Sequence, residues 1–114
     1  MIYNIQQRPE LAKIDLGTVA ISYTKHARKR SEEKMIWLPN EVKISGNVVE
    51  METNNQTGKP RKIIVRISHD SQYDLVIALV PADEVTRGKL LATTVWLNHK
   101  NDNHKTLRKS RVAA

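Results

Sequence analysis

The stretch "RKIIVRISHDSQYDLVIALV", residues 61–80, decides the fold. In its first part, Ile63, Val65 and Ile67 alternate with Lys62, Ile64, Arg66 and Ser68. This is the pattern of a strand with one buried face. The segment "SHDSQ" predicts a turn. The following "YDLVIALV" is apolar on both parities, which indicates a central strand covered on both sides. The stretch therefore predicts two neighbouring strands in the middle of a sheet.

The segment before this stretch, "EVKISGNVVEMET" (41–53), also alternates, but its apolar parity changes at Gly46. Val42 and Ile44 share one parity, whereas Val49 and Met51 have the other. A β-bulge at Gly46 would return both pairs to a single face. We therefore expect Ile44 and Val49 both to point into the core.

The segment after it, "LLATTVWLN" (90–98), predicts the last strand. Val95 and Leu97 share a parity, and we expect them in the core together with Ile63 and Val65. The four predicted strands follow one another along the chain with short turns between most of them. They predict a four-stranded antiparallel meander.

Helical signals lie before the strands. Thr24 is a typical N-cap for a helix through "KHARKRSEEKM", and Pro39 stops any helix. Pro9 predicts a short helix through "ELAKI" that Gly17 would end. The predicted fold class is α+β, with the N-terminal helix or helices packed on one face of the meander and a basic C-terminal segment. Residues 1–114 are expected to form a single domain, with 1–17 as an N-terminal arm or short helix.

Composition indicates a polyanionic partner and excludes cysteine chemistry. The chain has 114 residues, with 19 Lys and Arg against 12 Asp and Glu, and a formal charge of +7. Such a balance favours nucleic acid first and an anionic membrane surface second, although it also serves solubility alone. The chain has no cysteine, so disulfides, thiolate zinc sites and cysteine nucleophiles are excluded. The longest apolar run, 75–80, is too short to cross a bilayer, and the N-terminus has no signal-peptide pattern. We expect a soluble, cytoplasmic protein.

Two polar clusters carry the chemistry that the sequence offers. In "YTKHARKR", His26 and Arg30 are four residues apart and lie on one side of a helix. In "NHKNDNHKTLRKSR" (98–111), two histidines lie among five cations. An imidazole beside cations suits metal-independent RNA cleavage, because it transfers protons while the cations stabilise the charge on the phosphorane. The alternatives are a surface histidine, a solvated cationic helix face and a frayed basic tail.

Other observations limit the chemistry. The chain lacks phenylalanine and has five Trp and Tyr residues in all, so a platform for stacking bases is hard to assemble and phosphate contacts should dominate. His99, Asp102 and His104 do not have a recognised metal-ligand spacing. We therefore expect no metal and no cofactor.

The segments "KHA…R", "GNVVEMET…GK…KIIVR" and "TVWLNHKNDNHKTL" resemble small proteins of bacteria, phages and prophages. These are grouped with the barnase, EndoU, colicin and RelE fold of ribonuclease toxins. The resemblance covers roughly residues 18–112 and implies a helical part packed on an antiparallel sheet, with a cleft on the open face. Nucleases of this fold cut RNA without metal, often tRNA or mRNA on the ribosome. The fold also includes DNA-gyrase poisons and inactive relatives.

The resemblance and the clusters together predict a metal-independent endoribonuclease, toxin-like, in which a 2′-hydroxyl attacks the adjacent phosphate. The alternative is a non-catalytic phage regulator that binds nucleic acid or host machinery on the same scaffold. The expected partners are RNA and, beyond it, the ribosome, an antitoxin or a host protein. The candidate catalytic residues are His26, Arg66, His104, Lys105 and Thr106. The candidate nucleic-acid-binding residues are Lys25, Arg28, Arg30, Lys62, Trp96, His99, Lys100 and Arg108.

Overall fold

Seven strands in one mixed sheet, with one α-helix, form the part of the chain that the structure describes. This structure is a computed structural model, and it describes residues 2–5, 7–58, 60–80 and 89–102. The strands lie in the order β1-β4-β5-β6-β7-β2-β3. In chain order the elements are β1 (Ile2–Asn4), a 3₁₀ helix (Pro9–Lys13), β2 (Asp15–Tyr23), α1 (Lys25–Lys34), β3 (Glu41–Ser45), β4 (Val48–Thr53), β5 (Pro60–Ser68), β6 (Tyr73–Val80) and β7 (Leu90–His99).

The hairpin of β5 and β6 lies at the centre of this sheet, as the sequence predicts. Its strands are antiparallel, with Val65 opposite Ile77 and Ile67 opposite Leu75. In the turn, the carboxylate of Asp70 accepts hydrogen bonds from the backbone N–H groups of residues 72 and 73. Strand β6 is buried on both faces, because Leu75, Ile77 and Leu79 belong to one hydrophobic cluster and Val76 and Ala78 to a second.

The predicted four-stranded antiparallel meander is wrong as a description of the sheet. Strand β2 pairs with β3 in antiparallel fashion through residues 15–20, and its last three residues pair with β7 in parallel. This parallel pair makes the sheet mixed and adds β2 and β3 beyond β7, whereas β1 extends the other side. The sequence does not show this pairing, because its partners lie about 70 residues apart and leave no local pattern.

Helix α1 lies along the edge of β7, not on a face of the sheet as predicted. Beyond Ala92, β7 no longer pairs with β2, and the chain turns there into the helix. The backbone N–H of Thr24 donates to the Ala92 carbonyl (3.0 Å), and its hydroxyl donates to the Thr93 carbonyl (3.2 Å). The same hydroxyl accepts from the N–H of Ala27 (3.1 Å), which confirms Thr24 as the N-cap. The helix ends at Met35, whose φ of 55° is left-handed.

The predicted bulge at Gly46 is also wrong. Gly46 has a φ of 73° and separates two strands with different partners, since β3 pairs with β2 and β4 with β5. Ile44 is buried in the main core, whereas Val49 packs against a second cluster that includes Ile64. Val48 enters the main core in place of Val49.

The main core lies on one face of strands β4–β7. Residues of the 3₁₀ helix, β2, β3 and the segment after α1 complete it. Val65 and Val95 are fully buried in it, and Ile63 and Leu97 pack against it, as predicted. The second cluster is smaller and lies on the opposite face of the sheet, around Val76. The other buried members of the main core are Leu11, Ile21, Ile36, Val42, Ile44, Val48, Leu75, Ile77, Leu79 and Ala92.

Replacing Thr24 by alanine tests how the helix is attached. Thr24→Ala removes both the N-cap acceptor and the hydroxyl that donates to β7, and should lower the free energy of unfolding by about 1–2 kcal/mol. Thr24→Ser keeps the hydroxyl and should retain most of the stability. Urea unfolding followed by circular dichroism measures both. Equal stability of the two variants would contradict the attachment described here.

Candidate nucleic-acid interface

Helix α1 buries a narrow side and exposes a broad basic one. Ala27 and Ser31, four residues apart, face inward, and the Ser31 hydroxyl donates to the carbonyl of Arg28 (2.8 Å). Small residues on the buried side let the helix approach β7 closely. The exposed side carries Lys25, His26, Arg28, Lys29, Arg30 and Lys34.

The exposed cations of α1 are not neutralised by neighbouring acids. The helix has five Lys and Arg residues against Glu32 and Glu33, which leaves 5 − 2 = +3. Its first six residues, "KHARKR", contain four cations and no acid. Within the described residues, no salt bridge involves a residue of α1. The cations of α1 are therefore available to an anionic partner.

Three neighbouring grooves share Arg30. One groove of about 170 Å³ is lined by His26, Lys29, Arg30 and Glu33, all from α1. A second groove of about 200 Å³ lies between Arg30 and residues 94–96 of β7. The third groove, of about 340 Å³, is lined by Arg30, Lys34, Ile36, Tyr73, Trp96 and Leu97. Arg30 thus links a surface on the helix to a cleft between the helix and the sheet.

Tyr23 holds the two ends of this helical segment together. Its hydroxyl donates to the carbonyl of Pro39, so the residue before the N-cap is bonded to the chain that follows the helix. Burial raises the pKa of Tyr23 to about 12, although the nearby charge of Arg28 acts in the opposite direction. The phenol therefore stays neutral and keeps its donor proton at physiological pH. The Arg28 guanidinium lies 5.8 Å from the centre of the Tyr23 ring.

Arg66, by contrast, is fully engaged within the fold. Its Nε donates to a carboxylate oxygen of Asp74 (2.7 Å), and its Nη1 donates to the carbonyl of Asp102 (2.9 Å). Its Nη2 donates to the carbonyls of His99 (2.9 Å) and Lys100 (3.3 Å). The side chain is only 15 % exposed. These bonds fasten the chain at the end of β7 to the sheet, so a phosphate would have to displace them.

Lys100 belongs to the same cluster. Its ammonium group donates to the second carboxylate oxygen of Asp74 (2.8 Å) and to the hydroxyl of Ser68 (2.9 Å). Burial raises the pKa of Asp74, but the hydrogen bonds from Lys100 and Arg66 outweigh it, and the net pKa lies below the ordinary value. Asp74 therefore stays ionised and forms salt bridges with both cations at neutral pH. We call Arg66, Asp74 and Lys100 the Asp74 cluster.

The structure brings only some of the predicted site residues together. Arg30 and Trp96 line the same grooves, and His26 lies in the groove next to them. Arg66 lies on the same face of the sheet as Trp96, with Val76 between them, so about 10 Å separates their strands. Among the described residues, no hydrogen bond links His26 to Arg66.

The remaining predicted residues are placed as follows. Lys25 begins α1 and is exposed, and Lys62 is half-buried opposite Glu52 of β4. His99 is exposed, and its ring meets that of Tyr73 edge to face, with 5.7 Å between the ring centres. The predicted residues that lie outside the described residues are His104, Lys105, Thr106 and Arg108.

Sequence reasoning missed three residues of this region. Lys34 follows Arg30 by four positions, and that helical spacing could have identified it. Tyr73 and Asp74 could not be identified in this way. Tyr73 reaches the groove, and Asp74 reaches Arg66, only because of the register in which β5, β6 and β7 pair. That register is not apparent from the spacing of residues along the chain.

Similarity to known proteins gives no further guide to function. Comparisons of the chain with protein-family models, curated proteins and solved structures found no match. Within residues 2–5, 7–58, 60–80 and 89–102, no three His, Asp or Glu side chains are grouped so that they could hold a metal ion. In the same ranges, no helix has the length and apolar character needed to span a membrane. The function is therefore inferred from the charge and geometry around α1.

The Asp74 cluster predicts a pH-dependent contribution to stability. Asp74→Asn removes the shared counter-ion of two cations and should lower the free energy of unfolding at pH 7 by about 1–3 kcal/mol. Because the folded pKa of Asp74 lies below the ordinary 3.8, this contribution is present above that value and is lost as pH falls through the folded pKa. The gap between wild type and variant should therefore narrow below about pH 4.

Urea unfolding of both proteins across a pH series measures that gap. Glu41→Gln is the matched control, because Glu41 is exposed on β3 and has no salt bridge to another described residue. It should change stability by less than about 0.5 kcal/mol. A gap between wild type and Asp74→Asn that stayed constant down to pH 2.5 would refute the role given to Asp74.

Proposed function

We propose that the protein binds RNA through α1 and the grooves that share Arg30. The observation that carries the proposal is the contrast between two groups of cations. Arg66 and Lys100 both form salt bridges with Asp74, whereas the cations of α1 form no salt bridge within the described residues. A row of unneutralised cations on an exposed helix suits the phosphates of a nucleic acid, whose binding releases counterions.

The charge of α1 would suit any polyanion. We propose RNA in particular because the sequence resembles ribonuclease toxins. The "SYTKHARKR" segment that carries part of this resemblance is also the segment with the unneutralised cations. The proposal implies a cytoplasmic location, where RNA and ribosomes are found. It also leaves room for an antitoxin or host protein as a second partner of the same surface.

Charge-removing variants of α1 test RNA binding. Lys29→Gln with Arg30→Gln removes two cations and should weaken binding of a single-stranded RNA. If each cation meets one phosphate, the slope of log affinity against log salt should decrease by about 0.7 for each cation removed. Fluorescence anisotropy of a labelled 12-nucleotide RNA at several salt concentrations measures the affinity.

The matched control is Lys43→Gln, on the exposed side of β3. It changes net charge without touching α1, and it should leave the salt slope unchanged. The proposal fails if wild type does not bind RNA at low salt, or if the α1 variant and the Lys43 variant behave alike.

RNA cleavage is a second candidate function, and the groove around His26 favours it. His26 is exposed there beside Lys29 and Arg30. In this mechanism, His26 takes the proton from a 2′-hydroxyl, the oxygen attacks the adjacent phosphorus, and the bond to the 5′ oxygen breaks to leave a 2′,3′-cyclic phosphate. The two cations would stabilise the negative charge on the phosphorane. The leaving 5′ oxygen needs a proton from a second group, and His104 is the other proton-transfer residue that the sequence predicts.

Replacing His26 tests the cleavage candidate. Incubated with total RNA in EDTA, wild type should cleave, and His26→Ala should do so about 10²–10⁴-fold more slowly. Because His26 is exposed, the variant should melt at nearly the wild-type temperature. His69→Gln, in the turn between β5 and β6, is the histidine control and should cleave normally. Absence of cleavage by wild type would remove this candidate and leave RNA binding standing.

A further inference from the structure

We propose that the groove between α1 and the end of β7 binds one unpaired base of the RNA strand. This inference rests on the proposed RNA binding and adds to it a site that distinguishes unpaired bases from the phosphate backbone. We call this cavity the base groove. Its lining residues are Arg30, Lys34, Ile36, Tyr73, Trp96 and Leu97.

The walls of the base groove come from three parts of the chain. Arg30 and Lys34, one helical turn apart, form the side made by α1. Ile36, which is buried, and Leu97 provide apolar contact surface. Tyr73, at the start of β6, contributes an aromatic ring that is 37 % exposed. The groove holds about 340 Å³, within the range of small-molecule sites and sufficient for a base with its sugar.

The chemistry of the groove matches that of a nucleotide. Tyr73 is an aromatic residue of the kind on which bases stack in single-strand binding proteins. Trp96 borders the groove, but it packs against the second cluster on the opposite face of the sheet. Arg30 and Lys34 line the same groove as Tyr73 and carry the charge that a phosphate requires. The other large cavity, of about 380 Å³, is lined only by apolar residues such as Leu16 and Met51 and offers no group for a phosphate.

Charge complementarity favours RNA over a protein partner as the occupant. The base groove continues along α1, through Arg30, into the groove with Lys29. A strand with one base inserted beside Tyr73 could therefore place its next phosphates on the helix. A protein partner would instead be expected to bury a broad apolar patch, with charged residues depleted at its centre. Here two cations form part of the groove itself.

The experiment compares RNA with a backbone that has no bases. The chain has two tryptophans, so Trp37→Phe leaves Trp96, at the border of the base groove, as the single fluorescent reporter. Trp37 is 71 % exposed and does not line the groove. A 12-nucleotide oligouridylate and an abasic phosphodiester of equal length are titrated into this protein. The oligouridylate should bind more tightly and change the emission of Trp96, whereas the abasic chain should not change it.

Two substitutions at Tyr73 in this background identify the groove. Tyr73→Ala should weaken oligouridylate binding by about 5- to 100-fold, the equivalent of losing one base stacked on an aromatic ring. It should leave abasic binding unchanged. Tyr73→Phe keeps the ring and should bind like the parent. Circular dichroism confirms that each variant is folded.

The results distinguish a failure of the base groove from a failure of RNA binding by α1. If both oligomers bind equally and both lose affinity in the Lys29 and Arg30 double variant, phosphate binding stands and the base groove is refuted. If Tyr73→Ala binds oligouridylate like the parent, the base groove is also refuted. If Trp37→Phe alone abolishes the preference for bases, the base stacks on Trp37 and the proposed groove is wrong. If neither oligomer binds, both proposals fall.

Discussion

The parallel pairing of β2 with β7 is the constraint on which the rest of the structure depends. It lasts for three residues only, and the chain then leaves the sheet beside residues 92 and 93 of β7, whose carbonyls accept from Thr24. Thr24 binds two of those carbonyls and caps the helix with the same hydroxyl. The start of α1 is therefore attached to the sheet by hydrogen bonds. Because the helix covers an edge and not a face, most of its circumference remains free for a partner.

The two groups of cations illustrate how the same residue type serves two purposes. Arg66 reaches three backbone carbonyls and a carboxylate, so its guanidinium substitutes for regular pairing where β7 ends. Asp74 stabilises this arrangement, because its two carboxylate oxygens form salt bridges with Arg66 and Lys100. Helix α1 has two acids of its own, Glu32 and Glu33, and they form no salt bridge with its cations within the described residues. Positive charge is therefore fixed inside the fold at one site and left open to solvent at the other.

Local patterns in the sequence predicted the elements well, and their assembly poorly. The hairpin of β5 and β6, the helix after Thr24 and the burial of Val65 and Val95 follow from periodicity and capping, which depend on neighbouring residues. The parallel pair and the position of α1 depend on contacts between distant segments. Gly46 shows the limit clearly, since a change of parity can mark a bulge or the end of a strand. At the candidate site, the positive charge of α1 could be predicted from the sequence. The hydrogen bonds of Arg66 could not, because they depend on the register in which β5, β6 and β7 pair.

The left-handed conformation of Met35, at the end of α1, affects which substitutions the chain can tolerate. Position 35 has a φ of 55° and carries a methionine that is 90 % exposed, where helices usually place glycine. A Cβ in this conformation costs about 1 kcal/mol. A glycine there would relieve that cost while removing only a side chain that faces solvent. Met35→Gly is therefore expected to stabilise the fold. That gain would offset destabilising substitutions in the neighbouring groove.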